Sequence, residues 1–258
     1  MVAALGRWAN GKARDTAYAL GFFLLVIKEV FLFVRRRQVA FHVLVLQILF
    51  TGVEALGIVS LVALTIGAVI IVEGSTVLPR FGQTSLLHSI LIVVITRELG
   101  PILTAFIIIA RSGTAIATEL GNMVVNHEVE AYIATGIDPI AYLVVPRVLG
   151  VTISVMALTI YFNFFGLAGS FIVAQLVHPV PFVEYFSSLL KTLQARDLIS
   201  TVLKSFVFGV ITSVVATFHG FTVSTSVTEI PRAAIKAVGR GFVLCFLADA
   251  VITLIYYL

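Results

Sequence analysis

Arg97 and Glu98 stand side by side inside a run of apolar residues, in the stretch Thr96-Arg97-Glu98-Leu99-Gly100-Pro101. A charge at bilayer depth costs roughly 3 kcal/mol or more, so ionisable residues there pair or line a polar cavity, and they mark candidate functional sites. An arginine so placed could neutralise a phosphate, with the glutamate balancing it. Pro101 has no amide hydrogen and kinks the helix that carries the pair. The competing reading is structural, with Arg97 and Glu98 pairing with other charges to hold helices together. Glu54, Glu119, Lys204 and Asp249 are the other ionisable groups in or near apolar runs, and any of them could be the partner.

A second stretch, Glu128-Val129-Glu130-Ala131-Tyr132-Ile133-Ala134-Thr135-Gly136-Ile137-Asp138-Pro139, runs on to Val145-Pro146-Arg147. Val129, Tyr132 and Ile133 fall at i, i+3 and i+4, which predicts a short amphipathic helix with those three on one face. Gly136 is placed to stop it, and Asp138-Pro139 to start the next helix as N-cap and N1. A rigid knob of this kind between two membrane helices could dock a soluble partner. The plain alternative is a connecting loop. Ser112, Gly113, Thr114, Ala115, Ala117 and Gly121 put small side chains along one helix, as close helix packing requires.

The elements that must position these residues are membrane helices. Of 258 residues, 60% are hydrophobic and only 12% charged, with a mean hydropathy of +1.11. Long apolar runs without alternation predict an all-α polytopic membrane protein rather than a barrel. Spans are expected at about 43–72, 86–110 with a small-residue continuation to 121, 140–177, 198–218 and 237–257, since about 20 apolar residues cross a bilayer. Residues 179–197 carry amphipathic spacing between two prolines. Residues 1–40 mix apolar positions with Lys12, Arg14, Lys28 and the Arg35-Arg36-Arg37 triplet, the pattern of a helix in the headgroup layer. The chain thus divides into an N-terminal interfacial region, 1–40, and a transmembrane domain, 41–258.

The net charge of +4 does not indicate nucleic acid, because basic residues cluster at the ends of apolar runs. With the N-terminus inside, inner segments hold Arg7, Lys12, Arg14, Lys28, Arg35, Arg36, Arg37, Arg111, Arg147, Arg232, Lys236 and Arg240. Outer segments hold only Arg80, Lys191 and Arg196. A cytoplasmic N-terminus and an external C-terminus follow. No removable signal peptide is expected. The lone Cys245 is read as a packing residue, and His42, His88, His127, His178 and His219 lack metal-ligand spacing. There is no GxxxxGK[ST] loop, HExxH or GxSxG, so an energy source or cofactor such as ATP would sit on another polypeptide. No internal repeat of the secondary-transporter kind is found.

Arg97-Glu98-Leu99-Gly100-Pro101, the Ala110 to Gly121 run Ala-Arg-Ser-Gly-Thr-Ala-Ile-Ala-Thr-Glu-Leu-Gly, and Glu130-Ala131 through Gly136-Ile137-Asp138-Pro139 to Val145-Pro146-Arg147 together resemble the MlaE-type permeases, also called the YrbE or TrgD family. The resemblance runs from about residue 40 to the C-terminus. It implies a homodimeric permease of a bacterial inner-membrane ABC transporter that moves phospholipids between the inner and outer membranes. The implied partners are two cytoplasmic ATPase subunits, a periplasmic MCE-domain protein and often a small STAS-domain protein. It further implies that 126–137, with His127, Glu128, Glu130, Ala131, Tyr132, Gly136, Asp138 and Pro139, is the helix coupling to the ATPase. Arg97, Glu98, Leu99, Gly100 and Pro101 would lie near the lipid cavity. His127-Glu128 and Glu73 depart from residues common among relatives. Two rival readings are an ion-coupled transporter using Glu98 and Asp249, and an intramembrane lipid-modifying enzyme, for which the residue inventory supplies no nucleophile and base.

Overall fold

The structure, a computed structural model, describes residues 18, 20–32, 41–81, 86–177, 181–224 and 226–257. Most of those residues are helical, the rest lie in turns and short connections, and there is no strand among them. Five helices are long and apolar enough to cross a bilayer: α2 (His42–Val77), α3 (Leu87–Val125), α5 (Ile140–Leu176), α7 (Ala195–Phe221) and α8 (Glu229–Tyr256). Three shorter ones accompany them: α1 (20–32), α4 (Glu128–Ala134) and α6 (Phe182–Thr192). Every span exceeds the roughly 20 residues a bilayer demands, so the ends project or the helices tilt.

α5 is the central helix. Val151, Val155, Leu158 and Phe162 recur along one stripe and are buried against α2 and α3. In hydrocarbon, helix association relies on close packing rather than on apolar burial, so backbones must approach. At Gly67 of α2 a Cβ would overlap the carbonyl oxygen of Gly166 in α5. A Cβ on Gly209 of α7 would meet the Thr152 Cα of α5 at 2.7 Å. Ser112, Gly113, Ala117 and Gly121 of α3 are buried as their small size suggests, with Gly220 of α7 against Ala117 and Leu120; Thr114 and Ala115 are only half-buried.

The alternation of spans puts α4 and the 222–228 connection at one end of the bundle and α6 at the other. α1 leans on the α4 end, with Val26 buried among Val144, Val148 and Val214, and Phe22 stacked edge-on to Phe218 at 5.6 Å. Its remaining face, including Leu24, Ile27 and Phe31, is exposed, as expected of a helix lying against lipid. The rest of the 1–40 interfacial region, including Lys12, Arg14 and Arg35 to Arg37, lies outside the described residues.

The fifth span starts at Glu229, eight positions before the expected 237. Pro231 is tolerated in a first turn, where its missing amide has no intrahelical partner to lose. The Glu229 Oε2 accepts from the Ser224 amide at 3.0 Å and the Ser224 hydroxyl at 2.6 Å, tying the connection to the helix start. Ala234 and Ala237 then pack on Ala117.

Candidate functional site

The Arg97 stretch lies in a π-helical segment of α3, Ile92–Leu99, that ends where Pro101 enters the next α-helical turn. The Gly100 amide donates to the Ile95 carbonyl, five residues back. That leaves the Thr96 carbonyl without its usual partner, and Pro101 cannot donate to the Arg97 carbonyl. Both freed acceptors are taken up by α7. The Thr201 hydroxyl donates to the Thr96 oxygen at 2.8 Å, and Lys204 Nζ donates to the Arg97 oxygen at 3.1 Å. A single extra residue in the turn thus turns two backbone carbonyls toward a neighbouring helix, the kind of device for which π segments are known at functional sites.

Lys204 is fully buried and sits between two carboxylates, 2.6 Å from Glu98 Oε2 and 2.9 Å from Asp249 Oδ1. Its third contact is the Arg97 carbonyl, so the ammonium is compensated on all sides, which burial of a charge requires. Thr253 also reaches Glu98 Oε2, at 3.4 Å. The cluster joins α3, α7 and α8 and carries one more carboxylate than cation. Arg97 turns the other way, its Nε 3.6 Å from Asp197 Oδ1. Asp197 is itself fixed at the start of α7, where its Oδ2 accepts from the Gln194 amide at 3.0 Å.

Arg97 lines a cavity of about 210 Å³ at the α6 end of the bundle, with Ser89, Ile92, Val93, Thr192, Gln194, Arg196 and Asp197. Two arginines, one aspartate and the polar residues Ser89, Thr192 and Gln194 therefore line one space. Glu98 is turned from it toward Lys204. Gly100 and Pro101 are buried: a Cβ on Gly100 would overlap the side chain of Asn163, so Gly100 permits the approach of α3 to α5. Those two residues shape the helix and do not line the cavity.

At the opposite end, α4 projects with none of its residues buried. Its start is a left-handed His127 (φ 59°) whose Nδ1 lies 3.0 Å from Glu130 Oε2. Its end is a Schellman turn in which the Gly136 amide reaches the Ile133 oxygen and the Ile137 amide the Tyr132 oxygen, with Gly136 at φ 79°. Asp138 Oδ1 accepts from the Ile140 amide at 3.0 Å, so Asp138 caps the next helix as expected, with Pro139 after it. Val129 and Tyr132 lean on the core, but Ile133 does not join them and stands 61% exposed. Seven residues give α4 only two turns, and its inward face is too narrow for a third apolar side chain. His127, Glu128, Glu130, Ala131, Ile133 and Ile137 form its outward surface.

The family model for the permease MlaE matches residues 44–255. The chain belongs to the MlaE permease family. A probable ABC transporter permease protein of Rickettsia felis is 28% identical over 252 residues, covering 96% of this chain and 97% of the relative. One from Rickettsia prowazekii is 30% identical over 211 residues, 82% of each chain. The intermembrane phospholipid transport system permease protein MlaE of Haemophilus influenzae is 27% identical over 218 residues, 84% of each. The protein is thus a multi-pass ABC-type permease, a transporter component rather than an enzyme.

In this MlaE-family permease the structure answers which charges pair. Arg97 and Glu98 are not each other's partner: Glu98 takes Lys204 and, through it, Asp249, while Arg97 takes Asp197. Glu54 pairs with Arg111, which also donates to the Phe50 carbonyl at 2.9 Å and lies over the Phe50 ring. Glu119 pairs with the buried Arg147 at 2.7 Å. These four groups all involve α3. Asp197 and Arg196 were not expected at the site: the sequence reading counted Arg196 only as an outer basic residue and ended the amphipathic 179–197 segment at Asp197; a Gln-x-x-Asp spacing immediately before an apolar run was the available signal.

Proposed function

We propose that this permease is the lipid-translocating membrane half of an ATP-driven transporter, acting as a homodimer on phospholipids between the inner and outer membranes of a bacterium. The observation that carries the reading is the Arg97 cavity, where Arg97, Arg196, Asp197 and the polar residues Ser89, Thr192 and Gln194 meet the end of an apolar bundle. A lipid phosphate entering there would exchange Asp197 for its own oxygens on Arg97, with acyl chains against the apolar helices. The Haemophilus influenzae relative, named for intermembrane phospholipid transport, supports that substrate class.

ATP would be hydrolysed by a cytoplasmic ABC ATPase docked on α4, with an MCE-domain protein at the α6 end and a STAS-domain protein as a further partner. The basic-residue balance supports a cytoplasmic N-terminus and α4 end and a periplasmic C-terminus. Directionality would come from different lipid affinity in the cavity's two states. The test is mild-detergent purification of the tagged chain, with bound proteins and lipids identified by mass spectrometry. Co-recovery of an ATPase and phospholipid, with lipid lost in Arg97→Ala, is the expected result; unchanged lipid occupancy in Arg97→Ala would remove the role of Arg97.

A second reading has one observation in its favour: the Glu98–Lys204–Asp249 cluster carries an unbalanced carboxylate, as a proton-coupled carrier needs. Transport that survives loss of the ATPase and stops when the proton gradient is collapsed would select it.

A further inference from the structure

α4 and its flanking turns carry charge of one sign. From Ser112 to Pro146 the chain has four carboxylates, Glu119, Glu128, Glu130 and Asp138, and no lysine or arginine. Glu119 is taken by Arg147, which leaves the other three on the projecting turn. Glu128 and Asp138 are exposed, and Glu128 makes no ion pair among the described residues. The Glu130 side chain is 74% accessible and meets only the imidazole of His127. The same end of the bundle is otherwise basic, with Arg232, Lys236 and Arg240 on α8.

The acidic turn has a small, stiff tip. At 100° per residue, Ala134 lies opposite the Val129 and Tyr132 face that leans on the core, with Ala131 and Glu130 to either side of it. Glu128 and the exposed Ile133 stand at the two edges. The alanines let another surface come close, and Ile133 offers it apolar contact. Left-handed His127, the Schellman turn at Gly136 and the Tyr132–Tyr142 ring contact at 5.4 Å hold this shape, so binding would order little that is not ordered already.

The sign of the charge selects the occupant. The cytoplasmic leaflet is negative and attracts basic segments, so it repels this turn. A second copy of the chain would bring the same three carboxylates, and like charges set against each other suppress association. From the acidic edges and the small apolar tip we infer that α4 is received by a cytoplasmic protein surface of stated chemistry: a shallow apolar cleft edged by lysine or arginine side chains. Those cations meet Glu128 and Glu130, and Ile133 lies along the cleft wall. The inference rests on the ATPase docking proposed above and adds the chemistry by which the ATPase subunit is recognised.

The test returns the ATPase subunit that co-purifies with the wild-type chain, once isolated, to the detergent-solubilised permease at two salt concentrations. Wild-type binding should weaken roughly tenfold between about 50 and about 500 mM salt. Glu128→Gln/Glu130→Gln should bind roughly tenfold more weakly at low salt and lose most of that salt dependence, and Glu128→Lys/Glu130→Lys should bind roughly a hundredfold more weakly. Ile133→Ala should weaken binding at both concentrations alike. Both glutamate variants should keep the melting temperature of the permease. ATPase binding indifferent to salt and to both glutamate variants overturns the inference and leaves the ATPase-driven reading standing; a permease that recovers no ATPase overturns both. A changed oligomeric state in Glu128→Gln/Glu130→Gln, with ATPase binding intact, assigns the acidic turn to a second copy and also overturns it.

Discussion

Lys204 Nζ lies 2.6 Å from Glu98 Oε2 and 2.9 Å from Asp249 Oδ1, so one buried ammonium holds three membrane helices together. Removing it leaves two carboxylates facing each other away from water. Breaking a buried pair by deleting one partner costs about 3–5 kcal/mol. Lys204→Met should therefore lower the melting temperature of the detergent-solubilised protein sharply. Neutralising the carboxylates as well, in Lys204→Met/Glu98→Gln/Asp249→Asn, should restore much of it. A triple variant no more stable than the single one would show that the lysine acts by packing alone.

Thr201 tests the π segment. Its hydroxyl donates to the Thr96 and Asp197 carbonyls, each at 2.8 Å, and the first of these has lost its helical donor to the displaced Gly100 amide. Thr201→Val keeps the shape and removes the donor, leaving a buried carbonyl unpaired at a cost of about 1–3 kcal/mol. Thermal unfolding should register that loss, whereas Thr212→Val should cost less. The Thr212 hydroxyl donates to the Phe208 carbonyl of its own helix rather than to a carbonyl freed by a π turn.

Gly67 should be among the least replaceable glycines. Its would-be Cβ meets a backbone oxygen of Gly166, which cannot swing aside as a side chain could. Gly67→Ala is expected to force α2 and α5 apart and cost about 1–3 kcal/mol or more. Gly57→Ala on the same helix, with nothing within 4 Å of the new atom, should be neutral or mildly stabilising. Comparing their melting temperatures separates close approach from helix propensity.

Much of this architecture was legible because hydrocarbon penalises polarity so heavily. The spans declare themselves by length, Arg97 and Glu98 by their cost, and Gly136 and Asp138 by end-of-helix chemistry that depends on a few neighbouring residues. The pairings were not legible. Arg97 meets Asp197, and Glu98 meets Lys204, across about a hundred residues of chain, and the choice depends on helix rotation that apolar spans without strong facial bias leave undetermined. The π segment was hidden too, because Pro101 announces a disturbed turn without saying whether the helix kinks or gains a residue. Ile133 was misplaced because its spacing fits a helix face, while two turns bury too little of that face to take it.

The exposed Ile133 gives the docking role of α4 its clearest test. An apolar side chain held 61% exposed on a two-turn helix, beside Ile137 and flanked by Glu128 and Glu130, gains nothing for the isolated fold. Covered by a partner it could contribute like the apolar centre of an ordinary interface, where truncating an anchor costs about 2 kcal/mol or more. Ile133→Glu should therefore leave the melting temperature of the isolated permease unchanged while sharply lowering recovery of the ATPase in pull-down. Gly136→Ala should act differently. Its φ of 79° strains any L side chain by about 1–2 kcal/mol, so the turn that fixes α4 would loosen and both stability and recovery should fall together. Full ATPase recovery with Ile133→Glu would place the docking surface elsewhere on this end of the bundle.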